Sequence, residues 1–339
     1  MTAAPIAILD TGLVTSVGLS APASCAAIRA RIGNPTETRF LGGDGEWIMA
    51  HQVALAQPWR GRTLLARMAA MAIDECLASV PTDEWRAIPL VLCVAEDERR
   101  GRLQGLDDQL FGDIEEVLAA RFSPASATIA QGRVSVALAL MHARALLYER
   151  GAHRVLIAAT DSLVTWPSLN YYTSNDRLLT ALNPNGFMAG EAAGALLVGR
   201  PTGAAQLVCS GLGFATEKAH VDSGQPLKAE GLASAIKVAL AEAGCAIHQL
   251  DFRIADLSGE QYYFKEASLA VSRLLRAQKE DFQLWHPAEC VGAVGAAAGT
   301  VCLAVARMAA AKGYAPGRGV MLHLGNDEGQ RAAIVAFQE

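Results

Sequence analysis

The chain has 339 residues, of which 52% are hydrophobic and 19% charged, with a formal charge of −5 and a pI near 5.8. That balance excludes the clustered Lys and Arg by which proteins hold nucleic acid or an anionic membrane surface. No basic segment followed by an apolar run opens the chain, and its apolar stretches are broken by charges before the roughly 20 residues that a membrane span needs, so a cytoplasmic location with no span is expected.

In chain order, the pattern predicts a strand over 6–14 that runs into a glycine turn, a helix over 64–77 and a strand over 90–94. The charged run 96–111 reads as a solvated loop leading into a helix over 113–121. A helix over 134–148 and strands over 155–159 and 195–198 follow, then turn residues at 201–204. A second strand running into glycines, 207–213, repeats the grammar of the first. Helices over 232–243, 267–275 and 296–311 and a strand over 320–324 complete the chain. Strands that alternate with helices predict mostly parallel sheets with right-handed crossovers. The repeated opening divides the chain into halves, 1–203 and 204–339.

The seven cysteines, Cys25, Cys76, Cys93, Cys209, Cys245, Cys290 and Cys302, are odd in number and contain no C-x-x-C pair. Reduced core thiols are therefore expected rather than a disulfide frame or a zinc site, and no metal or cofactor is expected.

Four glycine-bearing stretches carry more information together than apart. Residues 11–18 read TGLVTSVG, 187–198 read FMAGEAAGALLV, 239–245 read ALAEAGC ahead of LDF at 250–252, and 295–299 read GAAAG. Any one such turn serves many folds. In this order, across nearly the whole chain, they resemble the β-ketoacyl-acyl-carrier-protein synthase branch of the thiolase superfamily. The resemblance implies an α/β thiolase fold, two βαβαβαββ halves stacked as a five-layer αβαβα sandwich. It also implies a dimer through the strand before the nucleophile, here Ser126 to Ala130.

The same resemblance implies a nucleophilic Cys at the start of a buried helix, where the helix dipole favours a thiolate. Counting back from Gly151 places that position at Val134, and a slip of one residue would give Arg133 or Ser135. The two family His positions fall on Asp256 and Gly292, and the loop that gates acyl access reads NDEG at 326–329. No catalytic triad is expected. An ionised Asp256 accepts hydrogen bonds but cannot donate one to a thioester oxygen. The wall of the vestigial pocket is expected to carry Arg133, Val134, Ser135, Asp256, His286, Cys290, Gly292, His323 and Asp327. For Ser135 the plain alternative is a first-turn hydroxyl, and Pro287 between His286 and Cys290 argues for a turn.

Three functions follow from the resemblance. The first is a non-catalytic, ketosynthase-like binding protein, and residues 28–40, 58–62 and 255–260 are similar to short ketosynthase-like proteins found near type VI secretion effectors, which implies an adaptor or chaperone. The second is an inactive, chain-length-factor-like subunit that pairs with an active ketosynthase. The third is an acyltransferase or condensing enzyme of altered chemistry using Ser135 or Cys290. In each case a protein partner is expected, as a homodimer or a heterodimer, with an acyl group or acyl carrier protein as candidate ligand.

Overall fold

A computed structural model describes residues 4–43, 45–203 and 205–339, so the expected junction at 203/204 falls partly outside the described residues. The first half supplies β1 (Ile6–Thr15), β4 (Leu90–Val94), β5 (Ala127–Ala130), β6 (Arg154–Ser162) and β7 (Ala189–Gly199). The second supplies β8 (Leu207–Thr216), β9 (Phe252–Ala255), β10 (Leu284–Trp285), β11 (Gly319–Gly325) and β12 (Gln330–Gln338). Their order across the sheet is β5-β4-β6-β7-β1 followed by β8-β12-β11-β9-β10. The second run mirrors the first, and β1 meets β8 antiparallel at the centre.

The expectation of mostly parallel sheets is corrected to a mixed sheet. β4 pairs in parallel with β5 and β6, and β9 with β10 and β11, whereas β1/β7, β6/β7, β8/β12 and β11/β12 are antiparallel. Apolar periodicity reports that a strand exists but not its direction. The short turn at 326–329 can only join antiparallel neighbours.

Three packed cores set the layers. Helices α2 (Gly61–Cys76) and α3 (Leu110–Leu118) cover the outer face of the first sheet. Helix α6 (Glu230–Ala243) and α7 (Gln261–Leu274) cover the outer face of the second. Between the sheets lie α4 (Ser135–Tyr148) and α9 (Ala298–Ala311), joined by α1 (Ala21–Arg29). This is the αβαβα order. The glycines that open each half admit the covering helices: a Cβ on Gly12 would lie 2.0 Å from the Ala72 carbonyl of α2, and one on Gly213 would lie 2.0 Å from the Ala235 carbonyl of α6.

Several element bounds move. β7 begins at Ala189 rather than near 195, because Ala and Gly fit a strand buried along its whole length between β1 and β6. α7 begins at Gln261 rather than 267, and its first turn buries Tyr263. α3 covers Leu110–Leu118 rather than 113–121, and ends where Ala119 turns left-handed. The run 96–111 is not solvated throughout: the Arg99 side chain is 5% exposed and Leu106 1%.

A two-stranded hairpin of β2 (Thr36–Leu41) and β3 (Trp47–His51) lies off the main path, with β3 touching β7. α5 (Trp166–Ser174) and the short α8 (Ala288–Val291) complete the elements. Among the described residues no helix is long and apolar enough to cross a membrane.

Candidate functional site

The central helices start in the same way. Gly132 has φ +53° and opens a 3-10 turn, Gly132–Val134, into α4; Gly295 has φ +51° and opens Gly295–Ala297 into α9. A Cβ would lie 2.0 Å from Glu96 Oε2 at the first glycine and 2.0 Å from Asp161 Oδ2 at the second. Glycine suits both positions: the backbone is left-handed at each, and a carboxylate stands where a Cβ would go.

Around these starts the chain buries charge rather than a nucleophile. Arg133 Nη2 donates to the Tyr263 hydroxyl at 2.9 Å and to Asp327 Oδ1 at 2.6 Å, and its Nε stands 3.8 Å from Asp256 Oδ2. Arg177 grips Glu260 through Nε at 2.7 Å and Nη2 at 2.9 Å, and reaches Asp327 through Nη1 at 2.7 Å. Arg99 holds Asp161 through two nitrogens at 2.5 and 2.8 Å, and Asp161 also accepts the Ala296 and Ser162 N–H groups. Bidentate guanidinium–carboxylate pairs of this kind are the geometry in which buried charges are best satisfied. Asn326, in the β11–β12 turn, accepts from the Arg133 N–H at 2.9 Å and donates to the Gln131 carbonyl at 2.8 Å, which ties that turn to the start of α4.

The charges balance by proximity. Burial would raise the Asp327 carboxyl, but the Arg133 and Arg177 guanidiniums outweigh it and hold the group well below the usual carboxylate range. Burial raises Asp256 despite Arg133, and raises Glu96 despite Arg99. The tyrosines offer no ready base, since burial also pushes the Tyr172 and Tyr263 hydroxyls up. Three arginines thus face three firmly paired carboxylates, Asp161, Asp327 and Glu260, with Asp256 and Glu96 shifted toward their neutral forms.

Two small cavities are left. One of about 30 Å³ is lined by Glu96, Arg99, Arg133, Tyr172, Arg177 and Asp327, among others. The other, of about 20 Å³, includes Asp256, Pro287, Val291, Gly292 and Cys302 in its wall. Each has room for a water molecule or two and no more. Arg133 and Ala293 belong to both walls, so the two cavities adjoin there.

Of the residues expected in the pocket wall, the fold gathers Arg133, Asp256, Gly292 and Asp327. The other five lie elsewhere. Val134 is packed in the central core, and Arg133 is the residue at the start of α4 that faces both cavities. Ser135 is 0% exposed, with its Oγ accepting from the Gln131 N–H at 3.0 Å and lying 3.3 Å from the Ile129 carbonyl. Cys290 lies in the central core, its thiol raised by burial and by Glu289. His286 precedes α8, pairs with Glu289 at 3.2 Å and meets the Phe264 ring edge-on. His323 sits between Leu322 and Leu324, which face the central core, so strand alternation turns it to the opposite face, where burial and then Arg253 and Arg331 push its imidazole down to about 3.

Gly292 enters only through its backbone. Its φ is +72°, and a Cβ there would point at the Met188 and Ala189 carbonyls, 2.9 Å from each. The wall of the smaller cavity carries one thiol, Cys302, which burial raises well above its ordinary range.

Sequence reading missed Arg99, Asp161, Tyr172, Arg177, Glu260 and Tyr263. A lone Arg or Glu in a polar run carries no local signal of burial, and the Arg99–Asp161 pair spans 62 positions. The one available hint was Asp161 close behind the apolar run 155–159 of its strand.

The sequence matches no protein-family profile and no curated protein. Solved structures do match over essentially the whole chain. One is a type II polyketide synthase acyl-carrier protein in complex with its ketosynthase bound to the hexaketide, with a TM-score of 0.81 and 15% identity, covering 99% of this chain and 100% of that one. A second is the ishigamide ketosynthase/chain length factor, at 0.79 and 17%, covering 99% and 100%. A third is a ketosynthase in complex with its chain length factor from Xenorhabdus doucetiae, at 0.79 and 14%, covering 99% and 98%. At such identities the likeness is one of architecture: this chain has the thiolase-type fold of the ketosynthases and chain length factors.

Proposed function

We propose that this protein is a non-catalytic, ketosynthase-like subunit that acts by pairing with another protein, in the manner of a chain length factor. One observation carries the reading: the chamber at the start of α4 is occupied by the Arg133–Asp327–Arg177 ion-pair system, with an arginine one residue before Val134, the position that the resemblance gives to the nucleophile. A guanidinium is neither nucleophile nor base at neutral pH. Asp256 and Gly292, in the wall of the adjoining cavity, offer no imidazole. Ser135 and Cys290, the residues of the altered-enzyme alternative, line neither cavity.

Pairing has a surface to use. β5 ends the sheet and bonds only to β4, so Ala127–Ala130 presents an unpaired edge among the described residues. Such edges are templates for another strand. The neighbours that are ketosynthases in complex with a chain length factor or an acyl-carrier protein make a ketosynthase the first partner to test. The mirrored strand order supports reading 1–203 and 204–339 as two copies of one unit.

Two measurements test this. Intact mass after incubation with an acyl-carrier-protein thioester should show no adduct; an acyl adduct lost on Ser135→Ala or Cys290→Ala would restore the enzyme reading. Co-purification from the host should yield a ketosynthase at equal stoichiometry, and Thr128→Lys on β5 should release it. Recovery of a secreted effector instead would favour the adaptor role implied by residues 28–40, 58–62 and 255–260.

A further inference from the structure

A second site lies outside that chamber. A groove of about 760 Å³ opens between the β2–β3 hairpin, the segment 52–61 and the start of α5, with Phe40, Trp59, Trp166, Leu55 and Leu103 among its walls. A volume of this order suits a small organic ligand or a long side chain. At its floor is Glu191, 6% exposed.

The bonding of Glu191 is incomplete for a buried carboxylate. Oε2 accepts the Val53 N–H at 3.1 Å and Oε1 accepts the Ser162 hydroxyl at 2.8 Å. Two oxygens offer about four acceptor sites, so roughly half stay open. Among the described residues no Lys, Arg or His lies within 4 Å of it to form an ion pair, in contrast to Asp161, Glu260 and Glu266, each of which is held by an arginine. Burial raises its carboxyl, opposed only by the two hydrogen bonds. A buried carboxylate without a counter-charge is costly, and a cation from outside would relieve it.

The walls suit a cation as well. Arg67 already stacks 4.0 Å over Trp59, and Arg39 lies 4.9 Å over Phe40, whereas Trp166 has only a tilted contact with Phe40 and stays 48% exposed. Aromatic faces attract ammonium groups. The rim charges Glu37, Arg39 and Arg60 are exposed to solvent and screened by salt.

We propose that this groove binds a primary alkylammonium group, with its nitrogen on the Glu191 carboxylate and its methylene chain between Trp166, Trp59 and Phe40. A compact ammonium fits the open acceptor sites better than a planar guanidinium, which needs both oxygens free along one edge.

Calorimetric titration of the full chain with n-butylammonium and, in parallel, with 1-butanol tests the proposal. The amine should bind at least tenfold more tightly than the alcohol, and Glu191→Gln should bring the two together. Trp166→Ala, a change at the rim, should weaken the amine severalfold while leaving the urea midpoint unchanged, and keeps the test decisive if Glu191→Gln does not fold. Nα-acetyl-lysine amide binding more tightly than butylammonium would assign the site to a partner's lysine, and equal binding would assign it to a free amine. Equal affinity of wild type for butylammonium and butanol, or no binding of the amine, overturns the proposal.

Discussion

The starts of α4 and α9 share a backbone and differ in what stands against it. Each opens on a glycine of positive φ, passes through one 3-10 turn and continues as a helix of 14 residues. Behind Gly295 the Asp161 carboxylate is pinned by Arg99 and two backbone N–H groups. Behind Gly132 is the end of the Glu96 side chain, which no comparable set of bonds fixes. The residue after the glycine differs too: Arg133 reaches into a charged chamber, whereas Ala296 contributes its N–H to Asp161. Backbone geometry and side-chain chemistry are separable demands: the two starts share the first and differ in the second.

The comparison can be broken most forcefully at its fixed side. Arg99→Met leaves Asp161 buried without its cation and should cost about 3–5 kcal/mol in urea denaturation. The double variant with Asp161→Leu should recover part of that loss. Next comes the pair of glycines. Gly295→Ala drives a methyl into a pinned carboxylate and should cost about 3 kcal/mol, whereas Gly132→Ala meets a movable Glu96 and should cost about 1–2 kcal/mol, the backbone penalty alone. Equal losses would mean that Glu96 is held as firmly as Asp161.

The charged chamber should show itself in pH dependence. The folded-state carboxyl of Asp327 is lowered, so its contribution is present above the ordinary carboxylate pKa of about 4 and is lost as pH falls through the lowered value. Asp327→Asn should therefore cost about 2 kcal/mol at pH 7, with a gap to wild type that narrows below about pH 4. Asp256 has the opposite sign. Its carboxyl is raised, so its contribution is present below about pH 4 and lost as pH rises, and Asp256→Asn should gain on wild type between acid and neutral pH. The smallest effect is at Ser135, whose hydroxyl accepts one backbone N–H: Ser135→Ala should cost about 1 kcal/mol.

Much of the fold was legible in the order of residues because the features that specify it are local. Strands β4, β6 and β11 and helices α2, α4, α6 and α9 follow apolar periodicity, and Gly12, Gly213 and Gly295 mark places where a neighbouring backbone or carboxylate allows no Cβ. That no Cys or His stands where the resemblance expects one was legible as well, since it needs only the identities of Val134, Asp256 and Gly292. Strand direction, the turning of His323 to the opposite face and the exclusion of Cys290 and Ser135 from the chamber needed the folded chain. So did the charge network. Arg133 meets Asp327 across 194 positions and Arg177 meets Glu260 across 83, and no local pattern records a pairing whose energy exists only once both groups have left water together.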